Sequence, residues 1–333
     1  MIAGHLFSIG GTVVTVIFTF HMPLFFIISG ILFKPETDTK LYIKNKLKHL
    51  GIPYLFYLFL GFCFTMLVPE LRSRITLRDI ILNLYWGKPD CFHMGQLWFI
   101  TVLLDVQIGF CFFEKYIIPK GRKVYLPIIL VLAVLTQGLY DFSFYLPSTR
   151  GFLLLDVAVI AFLFYYFGYE LAHGLSDAYQ KWKSKPTIYV IMAMLVIVFS
   201  MVCRLNGDVN IVEDSIGNAV LYYPIAVIGS MMVILFSELV SKCAFLAYWG
   251  KNSMTFFALQ SIFIFLYAKI LTRLLGYEVI PMRNIPNHLC VAGTIIIILV
   301  ILPFVVLKNR LIRKKDVSEM VCLRQDDDVI SKK

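Results

Sequence analysis

Long apolar runs alternate with short polar segments along the whole chain. Each long run approaches the ~20 residues that a helix needs to cross hydrocarbon. The runs are continuous, unlike the alternating ~10-residue segments of a membrane barrel. Helices and closed barrels alone satisfy their backbone in lipid. The pattern therefore predicts an all-α, polytopic integral membrane helical bundle. Spans are expected at about 12–33, 51–68, 96–114, 124–140, 152–172, 187–203, 219–238, 253–272 and 288–307. The apolar run before Gly10-Gly11 is too short to span. It has neither a basic leader nor a cleavage site, so it is no signal peptide; it reads as the back half of a helix. Pro23, Pro127, Pro224 and Pro303 fall inside spans, where neighbouring helices re-satisfy the freed carbonyls.

The polar positions divide the chain further. Residues 1–307 form one transmembrane domain, and 308–333 form a tail that is basic and then acidic, expected to be disordered past Lys315. Residues 40–50 place Ile43, Leu47 and Leu50 on one helical face with Lys44 and Lys48 off it, which predicts a short helix lying in the interface. No internal repeat is visible, which weakens a transporter built from inverted halves.

Composition agrees with the pattern. Hydrophobic residues make up 59% of the chain and charged residues 16%, with a mean hydropathy of +0.79. A soluble domain is nearer ~45–50% apolar. The formal net charge of +10 is mostly a topology signal. Of 31 Lys and Arg, 22 fall in the segments 34–48, 115–123, 173–186, 239–251 and 308–333, and 8 fall in those of the opposite side. The richer side is expected to be cytoplasmic, with the C-terminus on it. Nucleic acid is not the implied partner; the lipid bilayer is. Seven cysteines are scattered without a Cys-x-x-Cys pair, so no disulfide framework and no metal site are expected. A Cys91–Cys203 bridge outside the membrane stays open.

Polar groups within the spans carry the candidate chemistry, because they are expensive in hydrocarbon and usually functional. Phe20-His21-Met22-Pro23-Leu24-Phe25-Phe26-Ile27-Ile28-Ser29-Gly30 holds a histidine, a serine and a glycine in one span. His21 either orients a substrate or bonds a carbonyl freed near Pro23. Ser29 contacts a ligand or only packs, and Gly30 suits close helix approach. His5 is either a proton acceptor or a helix-end histidine at the headgroups. Asp105 lies seven residues after Trp98 and nearly on its face. Asp156 and Glu170 share one face near opposite ends of a span. Arg150, ahead of Asp156, binds an acidic or sugar group or is a solvated loop charge. Lys44, Lys46 and Lys48 suit phosphates or, more simply, topology and anionic lipid.

The Phe-Phe-x-x-Ser-Gly stretch resembles the signature of the membrane-bound acyltransferase 3 family, with Phe-His-Met-Pro-Leu-Phe-Phe closest to its fucose 4-O-acetylase-like branch. Gly4-His5, Leu97-Trp98-Phe99, Phe167-Gly168-Tyr169 and Gly250-Lys251-Asn252-Ser253 match further family motifs in order. A basic residue about ten positions before the first-helix histidine belongs to the pattern and would fall before residue 1, so the resemblance implies an N-terminally truncated member. A late histidine of the family is replaced by Gln260.

The resemblance implies a cell-membrane O-acyltransferase. It would move an acetyl group from acetyl-CoA, as co-substrate without a metal, to a hydroxyl of a cell-surface or exopolysaccharide carbohydrate. His5 and His21 would be catalytic. Ser29, Trp98, Asp105, Arg150 and Asp156 would meet substrate, and Lys44, Lys46 and Lys48 the coenzyme. A transporter or flippase of a sugar-lipid or small solute, or an inactive relative, remains the alternative.

Overall fold

The computed structural model describes residues 2–7, 12–36, 38–145, 152–174, 187–207, 209–212, 216–275 and 285–330. It is helical throughout, with no strand among them. In chain order the helices are α1 (Ile2–Leu6), α2 (Thr12–Ile31), α3 (Thr39–Lys46), α4 (Ile52–Leu67), α5 (Pro69–Arg72), α6 (Leu77–Trp86), α7 (Trp98–Tyr116), α8 (Arg122–Tyr145), α9 (Leu155–Tyr169), α10 (Thr187–Val202), α11 (Ala219–Leu239), α12 (Ala244–Lys251), α13 (Ser253–Leu275) and α14 (Asn287–Ile330). Each expected span falls on one of them. Among the described residues, seven helical stretches are long and apolar enough to cross a membrane, and Ile188–Val202 is a shorter apolar helix.

The bundle is built around α2, α7 and α9. Helices α1, α13 and α14 pack together on one flank, with α4 against α13; α8, α10 and α11 form the other flank. Two glycines set the α2–α9 crossing. A methyl group added at Gly30 would strike the Tyr165 carbonyl, and one at Gly168 would strike the Ile27 carbonyl. The two backbones touch at both points, as small residues allow where lipid gives no hydrophobic push. Aromatic rings fill the space beside that crossing. Phe110 of α7 lies 5.1 Å from Phe33, 4.9 Å from Tyr165 and 5.1 Å from Tyr169.

On the polar side between spans, α6 opens on a capping box. Thr76 Oγ1 accepts from Asp79 N at 3.2 Å, and the Asp79 carboxylate accepts from Thr76 N at 2.9 Å. The Thr76 hydroxyl, donating to the Asp79 carboxylate at 2.6 Å, and then the Thr76 N–H hold that carboxyl below its ordinary range. Gly87, at φ 72°, ends the helix in the left-handed region that only glycine adopts cheaply.

Three expectations need correction. The helix at 40–50 is α3, and a π-turn over Leu47–Gly51 joins it directly to α4. Its buried residue is Tyr42, packed on Phe33, while Leu47 is exposed. Ile43 and Leu50 of the expected face do pack on the core; Leu47 does not, and Tyr42 fills an aromatic pocket beside Phe33. The tail does not lose its helix past Lys315: α14 continues to Ile330. No Gly or Pro interrupts 308–330, and its Lys, Arg, Leu, Met and Glu residues are good helix formers. Finally, Cys91 and Cys203 are both free thiols.

Candidate active site

Gly4 starts the site. A Cβ there would lie 2.9 Å from the Phe18 ring and 3.3 Å from Ile17, so its absence lets α1 seat on α2. Cys290 of α14 fixes the other end of α1, its Sγ lying 3.1 Å from the Leu6 carbonyl. With α1 held this way, His5 meets Phe18 edge-on, the ring centres 5.7 Å apart. Phe18 also stacks on His21, the ring centres 5.0 Å apart. The two histidines, sixteen residues apart in sequence, therefore share one phenylalanine. His5 is exposed and His21 is half-buried, so neither ring is sealed into the packed core.

The tautomer of His21 follows from its partner. Nδ1 lies 2.8 Å from the Ile17 carbonyl. A carbonyl only accepts, so Nδ1 carries the proton and Nε2 presents its lone pair. This bond goes to Ile17 and not to Thr19, the carbonyl that Pro23 leaves without its helical N–H. The expectation of a carbonyl freed by the proline is corrected accordingly. A neutral imidazole fixed by one nitrogen, with the other free, is the arrangement of a general base.

The remaining predicted residues are placed as follows. Trp98 opens α7 and is half-buried. On the same face, Thr101 donates to the Gly87 carbonyl at 3.3 Å. One turn on, Asp105 is half-buried, and its Oδ2 is a buried oxygen without a hydrogen-bond partner among the described residues. Ser29 is half-buried beside the Gly30 crossing. Asp156 sits half-buried in the first turn of α9. Arg150 lies outside the described residues. Lys44 and Lys46 lie on α3, and Lys48 lies in the π-turn that continues it. Lys46 Nζ sits 5.0 Å above the Tyr42 ring, while Lys44 and Lys48 are exposed.

Three polar groupings were not legible from the sequence. Gln96 bridges to α13, donating to the Ala258 carbonyl at 2.8 Å and accepting from Ser261 at 2.6 Å. Nearby, Gln260 is buried, and neither amide atom finds a partner among the described residues. At the basic end of α14, Lys308 donates to Thr255 at 3.0 Å, and Tyr57 reaches the same hydroxyl at 3.4 Å. Phe18 itself was missed, although its i, i+3 spacing to His21 was readable. Outside the spans, burial and then Asp90 push the Cys91 thiol up to about 11, and burial lowers His93.

A family model described as an acyltransferase domain matches residues 1–307. No curated protein and no solved structure matches the chain.

Proposed function

The chain belongs to the acyltransferase 3 family, whose model covers residues 1–307, and from that premise we propose that it transfers an acetyl group from acetyl-CoA to a sugar hydroxyl of a cell-surface or exopolysaccharide carbohydrate. Membership establishes a multi-pass membrane acyltransferase; the donor, the acceptor and the fucose 4-O-acetylase-like branch are our reading. The pairing of His5 and His21 on Phe18, with His21 Nδ1 already bonded, is the observation that carries it.

In this reading the acceptor hydroxyl gives its proton to the free imidazole nitrogen as its oxygen attacks the thioester carbonyl. The C–S bond then breaks. The departing thiolate recovers the proton from the imidazolium, leaving an ester and free coenzyme A. His21 is the base best prepared for this, and His5 shares Phe18 with it. Trp98 and Asp105 offer the acceptor a stacking ring and an unsatisfied carboxylate oxygen; Ser29, Arg150 and Asp156 complete the substrate set. Lys44, Lys46 and Lys48 draw the coenzyme's phosphates from the cytoplasmic side. We place the chain in the cell membrane.

Membranes bearing the full chain, supplied with acetyl-labelled acetyl-CoA and polysaccharide, test the reading. Label is expected in base-labile ester linkage on the sugar. His21→Ala is expected to lower the rate by roughly 10²–10⁴-fold, the usual contribution of a positioned base. Unlabelled glycan together with transport of an intact sugar-lipid or solute would favour a carrier instead. Unlabelled glycan without transport would mark an inactive relative.

A further inference from the structure

A cleft of about 510 Å³ opens between α8, α9 and α11, on the flank away from the histidine pair. Its volume is within the ~300–1,000 Å³ typical of small-molecule sites. Its walls are apolar: Leu126, Ile129 and Ala133 of α8 face Leu163 and Phe167 of α9 and Val227 of α11. The inner part is closed by Tyr223, which lines the cleft and donates to Thr136 at 3.1 Å. The outward side of α8 carries exposed Leu130 and Val134, so the cleft lies at the depth of the lipid chains.

The mouth is chemically different. Glu170 accepts from Tyr166 at 2.8 Å and from Tyr125 at 3.3 Å, and Arg122 lies 3.8 Å away. Both tyrosines hold Oε1, and Arg122 offsets the charge of the carboxylate from the side of Oε2. Arg122 keeps 67% of its side chain exposed, so several of its N–H groups remain available. Lys120 and Lys123 flank it, both exposed, with no acidic partner among the described residues. An apolar slot in the hydrocarbon, with Arg122 at its mouth and two exposed lysines next to it in sequence, matches an amphiphile with an anionic head.

We propose that this cleft binds one anionic phospholipid of the leaflet on the basic side of the bundle, its acyl chain in the slot and its phosphate at Arg122, Lys120 and Lys123. Basic pockets between membrane helices hold such headgroups, and the polar tyrosines position the glycerol region. The site is separate from the acyl-transfer reading and stands or falls without it.

Native mass spectrometry of the full chain in detergent, with phosphatidylglycerol or phosphatidylcholine of identical chains added, reads the occupant. Phosphatidylglycerol is expected to be retained at least tenfold more strongly. Lys120→Gln with Lys123→Gln should reduce that retention by roughly fivefold per charge removed while sparing phosphatidylcholine. Ala133→Trp fills the slot and should abolish retention of both lipids. Leu126→Trp, nearer the mouth, should do the same if Ala133→Trp fails to fold. Equal retention of the two lipids by the wild type would overturn the proposal. So would a tryptophan variant that unfolds at the wild-type temperature yet holds phosphatidylglycerol unchanged. The double lysine variant lies outside the packed core and decides the headgroup claim even if both tryptophan variants misfold.

Discussion

Single residues fix the chemistry available to the site. His21 is useful because Ile17 holds Nδ1; the same ring without that bond would present either nitrogen. Gly4 matters only through what it omits, a Cβ that would press on Phe18 and lift His5 from its place. Cys91 shows the same logic outside the membrane. Burial and the neighbouring Asp90 raise its thiol to about 11, so at neutral pH it is protonated and a poor nucleophile. Since the shift is upward, reactivity appears only as pH climbs toward that value. Maleimide labelling of Cys91 is expected to be slow at pH 7 and to accelerate above pH ~9. Non-reducing electrophoresis should show no Cys91–Cys203 bridge. Rapid labelling at neutral pH, or a mobility shift on reduction that is lost in Cys203→Ser, would contradict this account.

Elements are positioned by contacts that patterning leaves unspecified. The crossing of α2 and α9 depends on Gly30 and Gly168, each facing a carbonyl of the other helix. Backbone cannot yield as a flexible side chain can. Gly30→Ala and Gly168→Ala are therefore each expected to cost at least ~1–3 kcal/mol, the range for overpacked sites. Thermal unfolding of purified protein in detergent measures this, with Gly109→Ala as the control because nothing lies near its added methyl. If Gly30→Ala unfolds with the control, the close crossing is wrong. The spacing of the Ser29-Gly30 pair was legible as a small-residue signal. That its partner would be Gly168 was not, because pairing between helices leaves no trace in either helix alone. The short helix was legible in part: Ile43 and Leu50 of its expected face pack on the core, but the burial of Tyr42 against Phe33 was not readable from spacing.

At the scale of the whole molecule, the distribution of charge orients the bundle. The side holding 22 of the 31 basic residues is expected to face the cytoplasm. A reporter fused after Lys333 should fluoresce as a cytosolic fusion, and an epitope placed at Ser73 should be reached from outside intact cells. The opposite pattern would invert both the donor side and the lipid leaflet assigned above. The same asymmetry frames the division of the molecule. α1, which carries His5, packs with α13 and α14 on one flank of the α2–α7–α9 centre. The lipid cleft opens on the other.

The sequence by itself determined the helical class, the order and position of the spans, and the presence of histidines and carboxylates within them. These are local properties: hydropathy adds along the chain, and a titratable group in an apolar run is visible wherever it points. Only the tertiary structure decided which polar groups meet. It joined His5 to His21 through Phe18, drew Arg122 and Tyr125 to Glu170, and left Asp105 Oδ2 without a hydrogen-bond partner among the described residues. The reason is physical. Lipid tails are as apolar as leucine, so a membrane helix need not distinguish its inner face by hydrophobicity, and its rotation is set by close contacts and hydrogen bonds with neighbours.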